Sequence, residues 1–345
     1  MSRTTARAAV AAAHTGARSW AWPLAAILVA GLVIRLLLLP SLGFHNDVSA
    51  FEAWTLTLKD NPPWQFYAKT TFADYPPGYF IVLWALGGIY AALGHLHVIG
   101  TNDSSYFALR LLVKLPALAM DLVDAVLIYA IVRRYAREAV ALGAAALFVL
   151  NPATIYVSAY WGQVDSVSWG FVLLALWLAL RSSDEPRKLT ARLVWAWLAI
   201  AFSILIKPQG TTVALVLVAF AFAPREGDLR LRRLRATALG LGAALLLAIA
   251  VAALFHPSAN PVELIAWLFD RYRIGSGVYA YNTVNAFNLY AIKQNFWTTD
   301  LAPLRLFGIG LGAMWLWGLV LVLAGTALIV ARYLQERTDR AFLEA

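Results

Sequence analysis

The residues best suited to chemistry interrupt apolar runs. Asp165 closes the segment Trp161-Gly-Gln163-Val-Asp165 between two long hydrophobic stretches. A carboxylate at the centre of a bilayer costs at least ~2.5–3.5 kcal/mol, so one kept at the margin of a span points to use. Two further interruptions share this character, Asp74-Tyr75-Pro-Pro-Gly78 and Lys207-Pro-Gln209. Asp47 ends the run Phe44-His-Asn-Asp47 after the first hydrophobic segment. A carboxylate there can take a proton from an acceptor hydroxyl as general base. It can equally serve as N-cap of a short helix over 47–59. Asp74 also reads two ways: the cap of a helix opened by two prolines, or, with Tyr75, a rigid corner presented to a headgroup. A lysine beside a proline break can hold a phosphate as a point charge, or snorkel to the interface. The phosphate reading is preferred for Lys207, because intramembrane charge is functional by default. Arg271-Tyr-Arg273 precedes Gly275-Ser-Gly277 and an aromatic, Asn-rich run over 279–290. Those arginines either clamp a phosphate or pyrophosphate from a loop that glycines let move, or anchor an exposed loop.

These positions must be carried by membrane elements. The 345 residues are 61% hydrophobic and only 14% charged, against ~25% charged in soluble domains. The formal net charge is +9, but its basic residues cluster in short loops beside apolar runs. That is positive-inside charging, so nucleic acid is not expected as a partner. There is no cysteine, which removes disulfide and thiolate chemistry. The 14 Trp, 14 Tyr and 17 Phe suit interfacial belts or sugar-stacking surfaces.

Along the chain, 1–19 reads as a basic cytoplasmic tail and 20–40 as a retained first span. Residues 41–77 form an outer loop; within 47–59, Phe51, Trp54 and Leu58 share one face of a helix lying on the membrane. Apolar segments follow at 78–98, 107–132, 139–156, 167–180, 193–206, 211–222, 236–255 and 304–331. Residues 256–303 form a second outer loop, and 333–345 a cytoplasmic tail. Asp121 and Asp124 share a span with Arg110 and Lys114, where spacings of three and four allow internal ion pairs. The expected fold is an all-α polytopic membrane protein with about eight or nine transmembrane helices, one module over 20–332 and membrane-parallel helices in the first outer loop. The charge rule sets 41–77 and Asp165 outside but 133–137 inside. Both hold only if 78–98 makes no net crossing, or if the arginines at 133, 134 and 137 break the rule. With that topology every polar interruption lies on the outer face.

His45, His95, His97 and His256 have no zinc-ligand spacing, and no Gly-rich nucleotide loop follows a strand. A divalent cation between Asp47 and Asp165 stays open as a cofactor.

Four features in order carry a family resemblance: Asp47 in the first outer loop, Asp74-Tyr-Pro-Pro77, Asn151-Pro followed by Trp161-Gly-Gln-Val-Asp165-Ser166, and Lys207-Pro-Gln209. Over roughly residues 30–300 the chain resembles the C-type, polyprenyl-phosphate-sugar-dependent glycosyltransferases. It looks most like bacterial relatives of the transferase that adds the second mannose in GPI-anchor synthesis, and is similar in order to the ER glucosyltransferases of the dolichol-linked glycan. The resemblance implies a C-type helical bundle in the cell membrane, with its active face extracytoplasmic. It implies inverting transfer of a sugar, mannose by preference, from a polyprenyl-phosphate donor to a lipid or glycan acceptor. Asp47 would be the catalytic base; Asp74, Gln163, Asp165 and Lys207 would lie near the donor sugar and phosphate. Tyr75, Trp161, Gln209, Arg271 and Arg273 complete the expected binding set. Family members usually continue through more spans and a late His-Glu-Arg-Tyr-like motif; this chain ends at Ala345 without one, as a fragment or a shortened homologue would. A polyprenyl-lipid flippase and a non-catalytic lipid-sugar-binding subunit remain as alternatives.

Overall fold

A computed structural model describes residues 21–99, 106–223, 227–278, 280–281, 297, 299, 301, 303–306 and 309–336. The expected N-terminal tail, residues 337–345 of the expected C-terminal tail and residues 282–290 of the aromatic run lie outside the described residues, while 333–336 belong to the last helix rather than to a tail. The fold is an all-α polytopic bundle. Its elements are α1 (Ala21–Leu38), α2 (His45–Asp60), the short α3 (Phe66–Lys69), α4 (Gly78–His95), α5 (Phe107–Val132), α6 (Glu138–Val149), α7 (Pro152–Ile155), α8 (Asp165–Asp184), α9 (Leu189–Ile206), α10 (Thr211–Phe222), α11 (Gly227–Phe255), α12 (Pro261–Gly277) and α13 (Met314–Glu336). A π-helical turn over Tyr156–Trp161 continues α7. Among the described residues seven helices are long and apolar enough to cross a membrane, or eight if α6 and the α7 segment are one span bent by 41°.

The bend has a local cause. Pro152 removes a backbone donor, and the Asn151 side chain accepts from Ala153 N at 2.8 Å to open the new helix. Likewise α9 stops at Ile206, because Pro208 cannot continue its hydrogen bonds; a tight turn over Pro208–Gly210 starts α10.

The bundle has two chemically distinct ends. At one, Arg134 pairs with Asp184, Arg192 with Glu185, and Arg233 donates to the Phe220 carbonyl at 3.2 Å and to Ser183. This basic end gathers the α5–α6 and α8–α9 connections, the C-terminal part of α10 and the N-terminal part of α11. At the other end a buried core joins α2, α3 and α4 to Leu109 and Val113 of α5, Val167 of α8, Ile206 of α9 and Phe255 of α11. Phe51, Trp54 and Leu58 are all buried there, as their helical spacing predicts.

Helix α4 belongs to that end layer. Gly78 lies against the Leu205 carbonyl, where an added Cβ would sit 2.6 Å from the oxygen, and Gly87 lies against the Thr55 carbonyl and Lys59. The core that holds Tyr79, Phe80, Leu83 and Leu86 includes no residue of the basic end. Its packing is with that end layer, although its length and apolar character would also let it cross. Helix α10 has only 12 residues, about 18 Å at helical rise, yet it runs from Gly210 beside Ser203 to Phe220 at the basic end.

Three expectations are corrected. The last span begins at Met314 rather than 304, because Pro303–Leu306 and Ile309–Ala313 pair as an antiparallel hairpin. Residues 261–277 are a helix, not a loop: Asn260 caps Val262 N at 3.0 Å and Pro261 takes the first helical position. The span charges do not pair along α5. Asp121 binds Arg35 of α1 at 2.8 Å, Arg110 binds Glu52 of α2 at 3.1 Å, and Lys114 lies on backbone oxygens. Asp124 is buried, with neither carboxyl oxygen bonded.

Candidate active site

The end opposite the basic loops collects most of the predicted chemistry. Asp47 is the third residue of α2, where a negative charge suits the helix dipole. It is not the N-cap: Phe44 holds that place, and no side chain caps the helix. Asp47 Oδ2 instead accepts from Trp161 Nε1 at 2.6 Å and Gln163 Nε2 at 2.7 Å. Its Oδ1 takes no bond from the described residues, so one carboxylate oxygen is anchored and the other is open.

Two glycines make this meeting possible. Gly162 (φ 91°) turns the chain after the π-helical turn so that Gln163 points back toward α2. Gly43 (φ 76°) does the same for the loop into α2. A β-carbon on either would approach Val48 Cγ2 to within 2.7 or 2.8 Å. Phe44 N donates to the Trp161 carbonyl at 2.9 Å, and their rings lie 4.8 Å apart.

Gln163 joins this carboxylate to a cation. Its Oε1 accepts from Lys207 Nζ and from the Tyr75 hydroxyl, both at 3.2 Å. Lys207, released by the proline break, also pairs with Asp165 Oδ1 at 2.5 Å and lies 5.3 Å from the centre of the Tyr75 ring. Burial first, then the charges of Asp165, Asp74 and Asp47, push the Tyr75 phenol well above its ordinary range, so it is a neutral donor.

Asp74 does not cap α4; Pro77 occupies the N-cap position. Its Oδ1 is buried without a hydrogen bond. Burial raises its pKa, the nearby Asp47 raises it further, and its own backbone N–H and Lys207 only partly oppose this. Two carboxylates of one site therefore differ: Asp47 is doubly hydrogen-bonded, whereas the surroundings of Asp74 favour its neutral form.

Helix α12 closes the flank. Tyr272 donates to the Ile204 carbonyl at 2.7 Å, and Gly275 lies so close to the Asp74 carbonyl that a side chain there would collide. Gly275 thus permits packing of a helix rather than loop movement. Arg271 and Arg273 both pair with Asp270, at 2.9 and 2.7 Å, and Arg271 lies over Tyr67 and Trp267. Neither reaches the Asp47–Lys207 cluster. Gln209 sits exposed in the Pro208–Gly210 turn, also apart from it. Tyr272 carries no signal in the sequence; its contact exists only because α12 folds back.

Among the described residues no group of three or more His, Asp or Glu side chains is placed to hold a metal ion. Asp47 and Asp165, the pair left open for a cation, each already have protein donors.

Residues 106–256, somewhat less than half of the chain, match the family model of dolichyl-phosphate-mannose-protein mannosyltransferases. A comparison with curated proteins gives no match. The family match supports a membrane glycosyltransferase. It includes Trp161, Gln163, Asp165 and Lys207, while Asp47 and Asp74 precede it.

Proposed function

We propose that the protein transfers a sugar, mannose by preference, from a polyprenyl-phosphate donor to a lipid or glycan acceptor at the outer face of the cell membrane. The acceptor hydroxyl attacks the anomeric carbon and its proton passes to Asp47 Oδ1. The bond from that carbon to the phosphate oxygen breaks, and polyprenyl phosphate leaves with the electron pair. Lys207, held at the margin of the bundle, meets the phosphate. The neutral Tyr75 hydroxyl and the Gln163 amide orient the sugar. Inversion follows from this single displacement.

One observation carries the reading: a single glutamine amide donates to the carboxylate and accepts from the lysine. Base and phosphate cation are thereby held at a fixed separation through one side chain, which supports their acting on one substrate. The sidedness rests on the opposite end, whose arginines and lysines suit the cytoplasmic leaflet. The nearer likeness to the GPI-anchor second-mannose transferase rests on the motif order alone. A flippase would place its sites near the midplane, often between repeats; here they collect at one end.

The test is transfer from radiolabelled polyprenyl-phosphate mannose and glucose to membrane lipids by purified protein, with and without EDTA. Mannose transfer is expected, and the EDTA arm reads any metal requirement. Donor binding without transfer from either sugar would replace this reading with a non-catalytic lipid-sugar-binding subunit.

A further inference from the structure

Lys114 is fully buried in α5, yet no carboxylate among the described residues lies within ion-pair reach of it. A buried ammonium is costly unless its donors are satisfied. Its Nζ lies 2.8 Å from the Ser41 carbonyl, 3.0 Å from Ser41 Oγ, 3.2 Å from the Tyr160 carbonyl, 3.4 Å from that of Ala159 and 3.5 Å from that of Leu39.

These oxygens come from two chain ends of like polarity. Leu39 and Ser41 follow the C-terminus of α1, and Ala159 and Tyr160 belong to the last part of the π-helical turn. The N–H groups of Gly162 and Gln163 both return to the Val157 carbonyl, so the later carbonyls face outward from the turn. Helix C-termini carry partial negative charge, and two of them brought together repel unless a cation lies between. Lys114 is that cation. Its stem also packs under Gly162, whose absent Cβ would lie 3.2 Å from Lys114 Cε.

The two ends it joins hold both sides of the site. The segment after α1 leads through Gly43 and Phe44 into Asp47, and the π-helical turn leads through Gly162 to Gln163, with Trp161 at its end. We propose that Lys114 is a positioning residue: its ammonium ties the loop carrying Asp47 to the turn carrying Trp161 and Gln163, and so sets the geometry of the base. The claim about catalysis rests on the transfer reaction proposed above; the claim about geometry does not.

The experiment uses the full chain in nanodiscs. The indole N–H resonance of Trp161 is identified by its loss in Trp161→Phe, and its position without the Asp47 contact is read from Asp47→Ala, which removes the accepting oxygen. Lys114→Met should move the resonance toward that position. It should lower kcat roughly 100-fold, the cost of about a 1 Å misplacement, with KM for polyprenyl-phosphate mannose within about twofold of wild type. Ser41→Ala, which removes one of the five oxygens, should shift both in the same direction by less. A folded Lys114→Met with the wild-type resonance and kcat would overturn the proposal. If Lys114→Met does not fold, an unmoved resonance in Ser41→Ala overturns it instead. Absence of transfer by the wild type would remove the proposed reaction, while the Trp161 resonance would still decide whether Lys114 sets the contact.

Discussion

Asp47 and Asp74 show how neighbouring carboxylates acquire different properties. Asp47 is held by an indole and an amide, whereas Asp74 is buried with an unbonded oxygen. Because the pKa of Asp74 is raised on folding, the native state keeps a proton that the unfolded chain loses from about pH 3.9 upward. The stability this gives is full below that pH and is lost as pH rises through the raised native value. Asp74→Asn should therefore raise the thermal midpoint at neutral pH, with the gain closing as the buffer approaches about pH 4. A difference independent of pH would mean that Asp74 ionises normally. Gly162 makes a second prediction. Its φ of 91° and its contact with Val48 leave no room for a β-carbon. Gly162→Ala should cost about 1–2 kcal/mol from the left-handed backbone alone, and should cut transfer by displacing Gln163; denaturant titration and the sugar-transfer assay check each part. At this scale the sequence was informative about residue type: Asp47, Asp74, Tyr75, Trp161, Gln163, Asp165 and Lys207 share one end. It was silent about partners. Nothing in Asp121-Leu-Val-Asp124 says that Asp121 meets an arginine 86 positions away.

The elements divide the same way. Proline breaks and apolar length were legible in part: the stop at Lys207-Pro208 and the buried face of α2 follow from local chemistry, whereas 139–156 reads as one apolar segment although the chain bends at Pro152. Helix α4 was not, because 18 apolar residues fit a span and an end-layer helix equally. Only its packing on Thr55, Lys59 and Leu205 separates the two. Helix α12 was read as loop because its Arg271–Gly277 end is rich in glycine and charge, and tertiary packing on Asp74 overrode that local weakness. Since the chain has no cysteine, single cysteines give a clean test of α4. Cysteines replacing Asp60 and His97, at either side of the α2–α4 layer, should both react with a membrane-impermeant maleimide in intact cells. One replacing Lys188 should react only after permeabilisation. Protection of position 97 alone would show that α4 crosses.

The whole molecule is polarised. Arginines and their acidic partners draw the helix connections together at one end, and Asp47, Asp74, Asp165 and Lys207 lie at the other. An apolar bundle between them explains both the composition and why scattered sequence positions converge: antiparallel helices return the chain to the same end again and again. Order along the sequence does not reveal which returning ends touch, so the amide linking Asp47 to Lys207 emerges only from the fold. The central claim is that Asp47 is the base of a sugar transfer at that end. The most direct measurement compares Asp47→Asn with wild type in a single-turnover assay using polyprenyl-phosphate mannose, with donor binding measured in parallel. Transfer should fall by about 10²–10⁴-fold, the usual contribution of a general base, with donor binding unchanged. Transfer at the wild-type rate by the folded variant would contradict the account.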